Sequence, residues 1–143
     1  MTVKSILDAK GRDVATISGD ETLQNAATLL SEKKIGAVVV TSASGKILGI
    51  LSERDIVRAV AKKGGDALSN TVTATMTSKV KTCSENNSIN DVMETMTAGR
   101  FRHLPVEKDG ALAGIISIGD VVKRRIEDVV REAEEIRNYI AAG

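Results

Sequence analysis

Aromatic side chains are almost missing from this chain: Phe101 and Tyr139 stand alone, and there is no tryptophan. This argues against a surface that stacks successive bases of single-stranded nucleic acid. The single cysteine, Cys83, has no internal partner for a disulfide, which favours a reducing compartment. One histidine and one cysteine do not make a zinc site, and no Ser/His/Asp or Cys/His set is present. No Walker-type phosphate loop occurs. Charge is nearly balanced, with 20 basic and 19 acidic residues and a net charge of +1, so no strongly electrostatic surface for nucleic acid or membrane is expected. No apolar run reaches the roughly 18 residues of a membrane span. The opening "MTVKSILDAKGRD" lacks the apolar centre of a signal peptide and carries acidic residues. These absences together predict a cytoplasmic, non-enzymatic protein with no metal, nucleic-acid or membrane partner.

What the chain does have is a repeat. Its 143 residues are 42% hydrophobic, enough for an aliphatic core. Val14–Val60 aligns with Val80–Arg125 once Ser44 is skipped. Thr16 then falls on Thr82, Ser18 on Ser84, Gly45 on Gly110, Gly49 on Gly114, Ser52 on Ser117 and Asp55 on Asp120. The periodicities match too. Leu23, Ala26, Ala27 and Leu30 form an i, i+3, i+4, i+7 stripe, and Ile89, Val92, Met93 and Met96 form its counterpart. "GDET" and "ENNS" supply capping side chains before these helices. "IGAVVV" and "FRHLPV" read as strands, "SASGK" and "KDGA" as turns, and "ILGIL" and "LAGII" as second strands. Pro105, the only proline, points to an edge strand or an irregular ladder. Cys83 aligns with Ile17 and reads as a small core group.

Each copy is thus β-α-β-β-α, and each ends in Gly-apolar-apolar-Ser-x-x-Asp: "GILSERD" and "GIISIGD". Units of roughly 50 residues are marginal alone. The predicted fold is accordingly α/β (α+β), with the two repeats packed as one body with pseudo-twofold symmetry. Lys62–Met76 reads as the link between them, with a short helix of its own. Ser-x-x-Asp by itself is close to a helix-capping box. It equally suits a nucleotide, because the helix N-terminus attracts phosphate and the carboxylate can accept from ribose hydroxyls. A glycine in the preceding strand would let a flat ring approach the backbone.

The repeated unit with this ending resembles the CBS domain, named after cystathionine β-synthase, and the tandem resembles a CBS pair, or Bateman module, over about residues 3–126. The division expected is 1–66 for the first repeat with its N-terminal helix, 67–126 for the second, and 127–143 for a helical extension. The resemblance implies a freestanding regulatory sensor that binds an adenosine-containing ligand between its repeats. AMP is put first among these ligands, with ADP, ATP, NAD(H) and S-adenosylmethionine as alternatives. It implies ribose contacts from Asp55 and Asp120, and ribose or phosphate contacts from Ser52 and Ser117. It also places Thr16, Ile35, Gly36 and Ala37 beside one adenine and Thr82 beside the other.

Arg102 and His103 align with Gly36 and Ala37, and in related pairs basic residues there reach phosphates. The expectation is that they serve the Asp120 site and make it the stronger one, with Arg54 as the first half's counterpart. The last helix carries Val122, Ile126, Val129, Ala133, Ile136 and Ile140 at heptad spacing. Under the resemblance this is a homodimer contact, and any regulated effector is a separate protein. The competing reading is a constitutive dimerisation or protein-interaction module that binds no nucleotide.

Overall fold

The computed structural model describes residues 1–142. Helix α1 (Val3–Lys10) precedes strand β1 (Thr16–Ile17), helix α2 (Leu23–Lys33), strands β2 (Ala37–Thr41) and β3 (Ile47–Ser52) and helix α3 (Glu53–Lys63). A 3-10 turn (Gly64–Ser69) and the short helix α4 (Val72–Thr75) lead into helix α5 (Ile89–Gly99), strands β4 (His103–Lys108) and β5 (Ala111–Ser117) and the long helix α6 (Ile118–Ala142).

The two halves match in register. Ala37 pairs with Ser52 and Val40 with Gly49, just as His103 pairs with Ser117 and Val106 with Gly114. Both hairpins shift register one residue later, at Val40/Thr41 and Val106/Glu107. The second closes on Asp109 and Gly110, both with positive φ, the pair that a two-residue type I′ turn requires. The first has the longer Ser42–Lys46 loop, which contains the unmatched Ser44.

One difference follows from a missing N–H. In the first half β1 pairs parallel to β2 over two residues, and the Val39 N–H donates to the Ala15 carbonyl at 3.2 Å. Pro105 occupies the place of Val39 and has no N–H to give. The strand beside it shrinks to one bridge, Cys83 to Val106. Cys83 is buried there, and burial pushes its thiol up to about 12.

The helical stripes bury as the spacing predicts. Leu23, Ala26 and Leu30 enter one core and Ile89, Val92 and Met96 another. The Thr22 hydroxyl caps α2 by accepting from the Asn25 N–H, and Ser88 with Asp91 forms a capping box on α5. The two linking helices are exchanged. Val3, Ile6 and Leu7 of α1 pack into the core of the second half, while Val72 of α4 packs into the first. Backbone bonds fix the exchange, since the Ile89 N–H donates to Met1 O and the Leu23 N–H to Asn70 O.

Those two helices explain both strand glycines. A Cβ on Gly114 would sit 2.9 Å from Leu7 of α1, and one on Gly49 would sit 2.7 Å from Met76 Sδ and from the Thr77 carbonyl. The space expected to admit a flat ligand ring is filled by the protein's own atoms, the Leu7 and Met76 side chains and the Thr77 carbonyl.

Candidate functional site

Each Ser-x-x-Asp element stands where a strand becomes a helix, and each is a complete capping box. The Ser52 N–H donates to Asp55 Oδ2 at 2.9 Å, and the Asp55 N–H donates to Ser52 Oγ at 3.3 Å. The Ser117 N–H donates to Asp120 Oδ2 at 2.9 Å, and the Asp120 N–H to Ser117 Oγ at 3.1 Å. The preceding strand entry accepts the first helical N–H in each case: Glu53 donates to Gly36 O and Ile118 to Arg102 O. Capping and ligand binding are therefore compatible, since capping leaves Oδ1 of each aspartate without a backbone donor.

The boxes open into two clefts lying between the halves. The first, of about 290 Å³, joins Ser52, Arg54, Asp55 and Arg58 to Gly99–His103 and to Thr77, Val80 and Lys81. The second, wider at about 820 Å³, joins Ser117, Asp120 and Ile115 to Lys10, Asp13, Lys33 and the Ile35–Ala37 segment. Gly36 and His103 line both.

Most of the residues expected at a site are brought together, and two sets are not. Ser52, Arg54, Asp55, Gly36, Arg102 and His103 share the first cleft; Ile35, Gly36, Ala37, His103, Ser117 and Asp120 share the second. Arg102, expected beside Asp120, lies in the Asp55 cleft. Adjacent residues entering a strand point to opposite sides, so Arg102 does not follow His103 into the Asp120 cleft, although both line the Asp55 cleft. Thr16 and Thr82 line neither cleft. Ile17 and Cys83 are drawn into the core, and the alternation turns each preceding threonine outward. The Thr82 hydroxyl instead donates to Glu107 Oε2 at 3.3 Å. Val14 with Ala15, and Val80 with Lys81, take the places expected of them.

Charge divides the clefts. Around Asp55 stand Arg54, Arg58, Lys81, Arg100 and Arg102, against the carboxylates of Glu53 and Asp55. Around Asp120, Lys10 and Lys33 are balanced by Asp13 and Asp120. The positive charge expected at Asp120 thus collects at Asp55. Arg58 Nη1 is 3.7 Å from Asp55 Oδ1, a loose contact, whereas Lys10 Nζ is 2.7 Å from Asp120 Oδ2. Burial pushes the Asp120 carboxyl up, but its bonds from Lys10 and Ser117 outweigh that and hold it below its ordinary value. His103 is half-buried between the clefts. Burial first, and the nearby Lys10 charge second, push its pKa down.

The sequence reading missed Lys10, Asp13, Lys33, Arg58, Lys81 and Arg100. Val14 and Val80 carried a signal, as an identical pair in the repeat. Lys10 carried none, because its place depends on the helix exchange. Among the described residues no cluster of three or more His, Cys, Asp or Glu is placed to hold a metal, and no helix is long and apolar enough to cross a membrane.

A family model for the CBS domain matches residues 3–62 and 71–127. A CBS-domain protein of Agrobacterium tumefaciens has a similar structure, with a TM-score of 0.85 and 54% identity, over 87% of this chain and 99% of that one. The CBS domain-containing protein YhcV of Bacillus subtilis is 29% identical over 88% of this chain and 89% of its own length. A CBS-domain protein of Pyrobaculum aerophilum, solved in complex with AMP, superposes with a TM-score of 0.75 and 27% identity, over 84% of this chain and 89% of that one.

Proposed function

The chain belongs to the CBS-domain family, and from that premise we propose that it is a non-catalytic regulatory module that takes an adenine nucleotide, AMP first, in the Asp55 cleft. The observation that carries this reading is the convergence of five cations from both halves on a cleft that also presents the Asp55 carboxylate. Arg54 and Arg58 come from the first half and Lys81, Arg100 and Arg102 from beyond the linker. Arginine forks suit phosphate because they make charge-assisted, bidentate contacts. The Asp55 carboxylate, whose Oδ2 holds only the Ser52 N–H and whose Oδ1 has no backbone donor, accepts from the two ribose hydroxyls through both oxygens, and Phe101 supplies an apolar wall. A volume of about 290 Å³ is at the lower end of small-molecule pockets. The relative solved with AMP supports the ligand class.

A nucleotide there touches both halves of the chain. It therefore favours whichever arrangement of the halves presents both sets of groups, and a ligand shifts an equilibrium only by such differential affinity. The reading out of that shift falls to a separate effector protein.

Thermal unfolding with AMP, ADP, ATP, NAD(H) and S-adenosylmethionine tests the reading. At 100 times its Kd the ligand stabilises the native state by about 2.7 kcal/mol. The shift disappears in Asp55→Ala. It persists in Asp91→Ala, which removes a capping carboxylate outside both clefts at a cost of about 1 kcal/mol. No shift with any of the five overturns the reading. The chain would then stand as an interaction module, which the exposed apolar side chains of α6 favour: Ile136 is 60% exposed and Ile140 71%.

A further inference from the structure

We propose that Lys10 is the residue that keeps nucleotide out of the Asp120 cleft, its ammonium occupying one of the two carboxylate oxygens that a ribose diol would need. This rests on the reading of Ser-x-x-Asp as a ribose-binding element. Size does not separate the two clefts in the required direction, since the Asp120 cleft is the larger. Occupancy does. Lys10 Nζ donates to Asp120 Oδ2 at 2.7 Å and to the Ile115 carbonyl at 3.0 Å. With the Ser117 N–H already on the same oxygen, both lone pairs of Oδ2 are engaged and only Oδ1 stays open to a diol whose two hydroxyls would take both oxygens. Asp55 Oδ2 holds only the Ser52 N–H, and its other oxygen has nothing nearer than Arg58 at 3.7 Å.

The difference is set by the lengths of two helices. Leu7 of α1 lies over Gly114, and Met76, which follows α4, lies over Gly49, so these two residues occupy matching places. In α1 the helix continues beyond Leu7 to Lys10, and three residues is close to one turn. That turn carries the ammonium over the cleft. On the other side α4 ends at Thr75, and Met76 is already extended at φ −61, ψ 158. Thr77 then pairs with Ile50. Lys79, three residues past Met76 as Lys10 is past Leu7, ends exposed and lines no cleft. The same residue type at the same offset blocks one cleft and leaves the other open.

The test is isothermal titration with AMP of the wild-type chain, Lys10→Met and Lys10→Gln, with helix content checked by circular dichroism. Methionine keeps the length of the stem and removes the charge; glutamine covers the case in which methionine disturbs folding. Wild type is expected to take one AMP per chain, lost in Asp55→Ala. The Lys10 variants are expected to take two, the second lost when Asp120→Ala is added. Lys10 variants that stay at one, or a wild type that already takes two, overturn the proposal. If wild type takes none, the reading of the Asp55 cleft fails by itself. A site gained at Asp120 in the Lys10 variants would still uphold the block, and no gained site would overturn it.

Discussion

His103 stands between the two clefts, half-buried, with the Lys10 ammonium close by. Both circumstances favour its neutral form, so its folded pKa lies below the ordinary 6.5. Between those two values the unfolded chain binds more protons than the folded one, and stability rises with pH. His103 therefore contributes stability that is present above about pH 6.5 and lost as pH falls through the folded value. The melting temperature of wild type should fall on going from about pH 7.5 to about pH 5.5, and the slope should be shallower in His103→Gln. An equal slope in both proteins would remove His103 from the account. At this scale the sequence was legible where a residue's role is local. Ser52 with Asp55, and Ser117 with Asp120, form boxes whose spacing can be read directly. Arg102 was not legible in the same way, because which cleft a side chain enters depends on its side of the strand and on how the halves pack.

At the scale of elements, the strand glycines report on the helices that cross them. Gly114→Ala should cost about 1–3 kcal/mol by overpacking, measured by urea unfolding. Leu7→Ala should recover much of that cost in the double variant, because the three atoms nearest to a Cβ at Gly114 all belong to the Leu7 side chain. Gly49→Ala should not be rescued by Met76→Ala, since the Thr77 carbonyl crowds that position too. Additive effects at Gly114 and Leu7 would show that the two do not meet. The order of helices and the two hairpins were legible from repeated spacing, and Pro105 signalled an irregular ladder, but the extended "VKTCS" forms only the bridge at Cys83. The exchange of α1 and α4 was not. "VKSIL" and "VTATM" look alike, and nothing in a short apolar helix says which of two similar cores it enters.

For the whole molecule the open question is the second half of α6. From Val129 to Ala142 every residue is exposed, though Ile136, Tyr139 and Ile140 are large and apolar. An isolated helix of that length is marginal in water, and the 4-3 spacing of Ile126, Val129, Ala133, Ile136 and Ile140 is the seam of a coiled coil, which a second copy of the same helix can complete. The expected state is a homodimer, at twice 15.1 kDa in sedimentation equilibrium. Ile136→Glu with Ile140→Glu should return it to a monomer. A monomeric wild type at high concentration would mean that another partner covers the seam.

The exchanged helices also bear on how the chain reaches this state. During synthesis α1 is made before the first repeat, yet its side chains are buried among Cys83, Ile89, Val106 and Val121. It must wait while more than half of the protein emerges. The first repeat in turn lacks Val72 until the linker has been made. Each half is completed by a piece encoded beside the other, so the two cannot mature independently, and residues 1–66 cut away on their own would leave Val3, Ile6 and Leu7 with no core to enter.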